Sequence, residues 1–361
     1  MKEAIYHFPI DGSPVSCEQI KSGHINETYL ITTDTGARYI LQWINQYVFP
    51  NVNAIMNNMS AISAYLREHE KGQMAMISYI DTLDGHSYYD DGQGGAWRIY
   101  RFVDNSVCLQ LPECPRDFYE CARAFGHFQE VLSGFPAQRL EETIVNFHNT
   151  VDRYRQLREA VAKNEAGRLG EVEEEVRFVL QREERACRLH RMREQGLLPV
   201  RATHNDTKIN NVLLDGNTHR ALCVIDLDTV MPGLSAFDFG DSIRFGASTA
   251  AEDEPDLSRV HLDLGLYRVY VRGFLEACPS LTPAEIEVLP LGAYTMTLEV
   301  GLRFLADYLN GDRYFSIEYP EHNKVRCRTQ FKLIRDMEAH WEDMNRIVAE
   351  ERAALEAEKE T

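Results

Sequence analysis

Three side chains in one short stretch have the types and spacing for chemistry on a phosphate. From Thr203 to Phe245 the chain reads THNDTKINNVLLDGNTHRALCVIDLDTVMPGLSAFDFGDSIRF. His204, Asp206 and Asn211 fall in the pattern H-x-D-x-x-x-x-N. A short apolar run, Val212 to Leu214, is followed by a turn at Asp215-Gly216-Asn217 and a second run, Ala221 to Ile225. That run ends in Asp226, with Asp228 two residues on. Phosphoryl transfer needs one carboxylate to orient the attacking hydroxyl and take its proton. It also needs separate oxygen ligands that hold Mg2+ against a triphosphate. A loop, a tight hairpin and the end of the next strand bring Asp206, Asn211 and Asp226 around one point. In this reading Asp206 is the base, His204 supports the loop, and Asn211 and Asp226 are the metal ligands.

Asp and Asn are also common turn residues, and the H-x-D-x-x-x-x-N pattern alone arises by chance. The added strand–turn–strand ending in Ile225-Asp226 favours catalysis over a structural turn. A second triplet, Asp238-Phe239-Gly240, spells the D-F-G of protein kinases. It follows the turn Met231-Pro232-Gly233 and does not end a strand-like run, so the metal is assigned to Asp226. Asp238 is expected to receive backbone N–H bonds or to pair with a base such as Arg244.

Around this stretch the chain divides in pattern. Residues 1–103 alternate as an antiparallel sheet with one inserted helix, Asn53 to Glu68. Glu27 to Thr33 and Arg38 to Ile44 flank the turn Asp34-Thr35-Gly36 as a hairpin. Ser22-Gly23-His24-Ile25-Asn26 stands where a nucleotide-covering loop is placed, with one glycine where protein kinases have three. Gln42 occupies the strand position of the phosphate-gripping Lys, and Asn57 and Asn58 stand mid-helix with no Glu partner there. Gly95 to Val103 reads as a last strand running into a connection. Residues 104–361 turn helical. Helices are expected over Arg116 to Leu132, Glu171 to Glu194, Leu262 to Ala277, Tyr294 to Asn310 and Lys324 to Ala349. Another starts at Pro283 with a Thr282/Glu285 capping box. The tail AEERAALEAEKET reads as a fraying, solvated helix.

Several stretches resemble one family. HNDTKINNV, IDLDTVMPG and DFGDSIR are similar to the aminoglycoside phosphotransferase and choline kinase superfamily, and most closely to its N-acetylhexosamine 1-kinases. Gly23-His24-Ile25-Asn26, Tyr39-Ile40-Leu41-Gln42, Ala124-Phe125-Gly126, Asn146-Phe147-His148 and Arg303-Phe304-Leu305 through Asp336-Met337-Glu338 extend the resemblance along nearly the whole chain. It implies an α+β, two-lobed, protein-kinase-like fold with a small antiparallel-sheet N-lobe (1–103) and a larger, mainly helical C-lobe (104–361). It implies ATP and Mg2+ as cofactors and phosphorylation of the C1 hydroxyl of N-acetylglucosamine or N-acetylgalactosamine. Gly23, Ile25, Arg101, Phe102 and Val103 then meet the nucleotide. His24, Asp206, Arg303, Tyr314 and Trp341 meet the sugar, with rings stacking on the pyranose and guanidinium bonding its oxygens. The family also tends to lack the Lys that Gln42 replaces. His148, by contrast, reads as structural. Two alternatives stay open: another small-molecule kinase of this fold acting on choline, an aminoglycoside or homoserine, or a nucleotide-binding pseudokinase.

Composition bounds the partners. The 361 residues suffice for two lobes with real cores. A net charge of −18 disfavours nucleic acid and anionic membranes while leaving room for a local ATP–metal site. Eight cysteines without C-x-x-C spacing argue for a reduced chain. The opening MKEAIYHFPIDG lacks the apolar core of a signal peptide, and no apolar run is long enough to span a membrane. The Asn-x-Ser/Thr matches at Asn26, Asn58 and Asn205 are therefore coincidental, and a cytoplasmic protein, monomer or weak homodimer, is expected.

Overall fold

The computed structural model describes residues 2–20 and 25–360, so Gly23 and His24 lie outside the described residues. The first lobe is built on β1 (Pro14–Ile20), β2 (Glu27–Thr33), β3 (Arg38–Ile44), β4 (Tyr79–Ile80), β5 (Tyr89–Asp90) and β6 (Ala96–Arg101). They form one antiparallel sheet in the order β1-β2-β3-β6-β4, with β5 also on β6. The β2–β3 hairpin closes as its turn chemistry dictates. Gly36 takes φ +83°, open to glycine without strain, and its N–H reaches the Thr33 carbonyl at 3.0 Å. Because side chains alternate along a strand, Tyr29, Ile31, Tyr39, Leu41, Trp97 and Ile99 pack on one face against Ile5 and Phe8. The opposite face, including Ile40 and Tyr100, turns toward the second lobe.

The inserted helix, α1 (Val52–His69), is capped by Asn51, whose side chain accepts the Ala54 N–H at 3.1 Å. Its apolar stripe, with Ile55, Met59, Ile62 and Leu66, joins the core of the second lobe. Asn58, 2% exposed, fixes this docking. Its amide N–H group donates to the carbonyls of Glu141 (2.8 Å) and Val230 (3.1 Å), and its oxygen accepts the Glu141 N–H (2.9 Å).

In the second lobe β7 (Ser106–Cys108) leads into α2 (Pro115–Val131) and α3 (Thr150–Lys163). Three short helices follow: α4 (Glu173–Leu180), α5 (Glu183–Ala186) and α6 (Arg188–Glu194). They replace the single helix expected from Glu171 to Glu194. At the first break Arg182 turns its guanidinium onto the Phe178 carbonyl (3.0 Å) and the Glu338 carboxylate (2.8 and 2.9 Å). β8 (Arg201–Thr203), β9 (Val212–Asp215), β10 (Ala221–Val224) and β11 (Met231–Gly233) frame the chemistry-bearing stretch. β10-β9-β7 and β11-β8 pair as two small antiparallel sheets.

α7 (Ser235–Gly246), α8 (Leu264–Ala277), α9 (Pro283–Glu287) and α10 (Leu289–Leu309) build the centre, and the Thr282/Glu285 capping box is present. α7 and α10 cross backbone to backbone: a Cβ on Gly240 would collide with the Gly292 carbonyl, and one on Gly292 with that of Ala236. α11 (His322–Ala339) and α12 (Trp341–Lys359) divide the helix expected over Lys324 to Ala349. The break at His340 lets α11 lie along α10 while α12 turns onto α8. The tail is accordingly not a loose helix: Leu355 is buried, and Arg268 pairs with Glu350 and Glu351. Among the described residues no helix is long and apolar enough to cross a membrane.

Candidate active site

β8 ends at Thr203, and the chain then makes the loop that carries His204, Asp206 and Asn211. Asp238, fully buried near the start of α7, organises this loop. Its carboxylate accepts the backbone N–H of His204 (2.9 Å) and of Asn205 (2.7 Å) and the side-chain amide of Gln129 (2.7 Å). Arg244 instead pairs with Asp241 and Glu252. Asn205, 4% exposed, adopts φ +64°, a left-handed conformation that asparagine tolerates better than most residues. Its amide N–H group bonds the carbonyls of Thr203 (3.1 Å) and Thr229 (2.9 Å).

His204 is buried against Phe125 and Phe128 and does not face solvent. Its Nε2–H donates to the Ile225 carbonyl (2.9 Å), and its Nδ1 accepts the Asp206 N–H (3.3 Å). One ring therefore ties the loop to the strand end that delivers Asp226. Asn211 donates to the Asp206 carbonyl oxygen (2.8 Å) and carboxylate (3.0 Å), while its backbone carbonyl accepts the Ile225 N–H (3.0 Å). Lys208 Nζ lies 3.3 Å from Asp206 Oδ1, both side chains half-buried. Burial works against the charge on Asp206, but Lys208 and the Asn211 amide outweigh it and hold the carboxyl below its ordinary value.

Asp226 differs in every respect. It sits at φ +62°, separated from the end of β10 by Ile225 alone. Among the described residues, none donates a hydrogen bond to its carboxylate. Burial, then the neighbouring charges of Asp228 and Asp206, push its pKa up to about 6. Asp228 is consumed elsewhere: Arg98 Nη1 and Nη2 grip it at 2.5 and 3.0 Å, and the Asn26 amide donates to it at 2.6 Å. Arg98, 1% exposed, also donates to Gln42 Oε1 at 3.0 and 2.9 Å. The cation of the first lobe thus comes from β6, directly opposite Gln42 in register, and it is sealed from ligand. Nothing local in the sequence marks Arg98, because only the β3–β6 register pairs it with Gln42.

Between the lobes an apolar cluster borders this centre. Ile20, Leu30 and Ile40 come from the sheet, Phe102 and Val103 from the connection, and Leu213 and Ile225 from the β9–β10 hairpin. Arg101 turns to the other face, its guanidinium 5.5 Å from the Tyr39 ring. Ile25 is exposed, and its carbonyl accepts the Asn45 amide (3.3 Å).

A second cluster flanks the loop. The Arg303 guanidinium lies over the rings of Phe147 (5.2 Å), Tyr314 (5.5 Å) and Phe315 (5.3 Å). Phe147 packs on His148 at 4.3 Å, and His148 Nε2 meets the Asn205 carbonyl at 2.8 Å, one residue from Asp206. Asp307, which sequence reasoning missed, shapes this cluster: its carboxylate accepts the N–H groups of Arg313, Tyr314 and Phe315 at 2.9–3.0 Å. Trp341 is not part of it. Its ring stacks under Arg185 (3.7 Å) and edge-on to Tyr294 (6.2 Å).

Comparison with known proteins agrees with this geometry. The profile of the Phosphotransferase enzyme family matches residues 16–272. A microcompartment-associated aminopropanol kinase superposes with a TM-score of 0.58 at 15% identity, over 95% of this chain and 97% of its own. A choline kinase from Cryptosporidium parvum gives 0.58 at 15%, over 93% and 94%. An amicoumacin kinase in complex with AMP-PNP, Ca2+ and Ami gives 0.55 at 16%, over 91% and 90%. At these identities the structures establish a shared fold, the two-lobed, protein-kinase-like architecture. With the profile covering most of its length, the chain belongs to the phosphotransferase enzyme family.

Proposed function

We propose that this phosphotransferase moves the terminal phosphoryl group of ATP to the anomeric hydroxyl of N-acetylhexosamines. The observation that carries the acceptor class is the Arg303–Tyr314–Phe147 cluster beside the Asp206 loop. Rings flanked by guanidinium suit a neutral, hydroxyl- and acyl-bearing pyranose. Arg153 lies close by, its pKa lowered to about 10 by burial and by the charge of Arg303. Two guanidinium groups disfavour a cationic acceptor such as choline or an aminoglycoside.

The apolar cluster between the lobes is suited to the face of a purine. Asp206, ionised at neutral pH, orients the acceptor hydroxyl and takes its proton. Lys208 lies on the same side and supplies a positive charge to the transferring phosphoryl group, the part Gln42 cannot play. The donor set fits a magnesium ion. Mg2+ binds through one or two carboxylates, phosphates and water rather than in an all-protein cage. Asp226 is a carboxylate without a partner, held among negative charges. Asn211 and Asp226 would hold the ion, which when bound neutralises phosphate charge and fixes the triphosphate. The eight unbridged cysteines support a reducing, cytoplasmic setting.

The test is the position of the product phosphate and its dependence on the cluster. With N-acetylglucosamine or N-acetylgalactosamine, NMR is expected to place the phosphate on C1. Arg303→Ala is expected to raise the sugar KM at least 10-fold, as for a lost charge-assisted bond, with the nucleotide KM unchanged. An Arg303→Ala enzyme with the wild-type sugar KM would remove the cluster from the acceptor site.

A further inference from the structure

His148 lies outside the machinery just described, and its ring is only 7% exposed. Its Nε2 is 2.8 Å from the Asn205 carbonyl oxygen, and its Nδ1 is 2.9 Å from Glu299 Oε1. A carbonyl oxygen only accepts, so Nε2 carries hydrogen. Glu299 stands in the middle of α10 with no exposure, and its other oxygen accepts the Thr150 hydroxyl at 2.5 Å. Burial opposes its charge, yet His148, Arg153 and Thr150 together hold the carboxyl below its ordinary value. The Thr150 hydroxyl donates to Oε2 and leaves Oε1 to accept from the ring, so Nδ1 carries hydrogen as well. The charged groups facing the ring are Glu299 from α10, Arg153 from α3 and, beyond Phe147, Arg303. Phe237 from α7 packs at 5.7 Å.

We propose that His148 is a buried imidazolium that holds the peptide plane before Asp206, and is a positioning residue for phosphoryl transfer. The geometry gives the reason. The peptide unit between Asn205 and Asp206 has two polar edges. Its N–H is held by His204 Nδ1 in a long bond of 3.3 Å, and its carbonyl by His148 at 2.8 Å. Rotation of that plane swings the Asp206 carboxylate away from the acceptor hydroxyl, and the short bond from His148 restrains the plane at its carbonyl edge. The carboxylate of Glu299 keeps both ring nitrogens protonated and the imidazole oriented. The positioning claim rests on the reading of Asp206 as the base. The protonation state does not.

The experiment has two readouts on the full chain. Long-range 1H–15N NMR near neutral pH on protein labelled at histidine nitrogens is expected to show both nitrogens of His148 protonated, and one bare nitrogen on His204. A neutral His148 would overturn the proposal. The double variant H148Q/E299Q removes both charges together and so leaves no buried, unpaired carboxylate. Once thermal unfolding shows it folded, its kcat is expected to fall about 100-fold, the scale of a misplacement near 1 Å, with the nucleotide KM unchanged and amide exchange of residues 205–207 faster. A folded double variant with wild-type kcat and wild-type exchange would contradict the positioning role. If the wild-type chain phosphorylates no sugar, the proposed function fails separately, while the nitrogen signals and loop exchange still decide the role of His148.

Discussion

Asp206, Asp226 and Asp228 stand close together with two cations, and each cation already has a carboxylate. Arg98 belongs to Asp228 and Lys208 to Asp206, which leaves Asp226 uncompensated. This distribution separates structure from chemistry at the level of single residues. Arg98→Met leaves Asp228 charged and buried, and is expected to destabilise the fold by about 3–5 kcal/mol in denaturant unfolding. Lys208→Ala removes a cation that is only partly exposed. It is expected to cost less stability than Arg98→Met while lowering kcat about 100-fold, the usual cost of one preorganised donor. If Lys208→Ala kept the wild-type kcat, charge on the phosphoryl group would have to be met elsewhere.

At the scale of elements, what was legible in the sequence was what is local. The β2–β3 hairpin, the start of α2 and the Thr282/Glu285 cap follow from residues within a few positions of one another. The helix breaks at Arg182 and His340 were not legible. Each depends on partners met only after folding: Glu338 in the first case, the separate surfaces of α10 and α8 in the second. The same holds for the docking of α1. Asn58 reads as a poor helix residue, yet it makes three hydrogen bonds to segments far along the chain. Asn58→Ala strands those backbone groups and is expected to cost about 1–3 kcal/mol in unfolding free energy. Gly292→Ala tests the α7–α10 crossing that carries Asp238 beneath the loop. Overpacking there is expected to cost about 1–3 kcal/mol or more and to lower the melting temperature.

Across the whole molecule, burial of ion pairs sets the response to acid. Arg201 and Glu285 join β8 to α9 with side chains 10% and 3% exposed. Burial opposes the charge on Glu285, but Arg201 and the Thr282 cap hold its carboxyl below the ordinary value. A carboxyl lowered on folding contributes stability that is complete above its unfolded pKa, about 4.3 for glutamate, and is lost as pH falls through the folded value. Glu285→Gln is therefore expected to be less stable than wild type at neutral pH and to lose less on acidification below that range; parallel stability–pH curves would contradict this. The family and fold account for phosphoryl transfer; the proposed acceptor is argued from Arg303, Tyr314 and Phe147. The measurement that tests it most directly is ADP release from MgATP with N-acetylglucosamine, N-acetylgalactosamine, glucose, galactose, choline and kanamycin as acceptors. Turnover confined to the two N-acetylhexosamines, and lost in Asp206→Asn, is the predicted result. Turnover with choline or kanamycin in place of the sugars would contradict it.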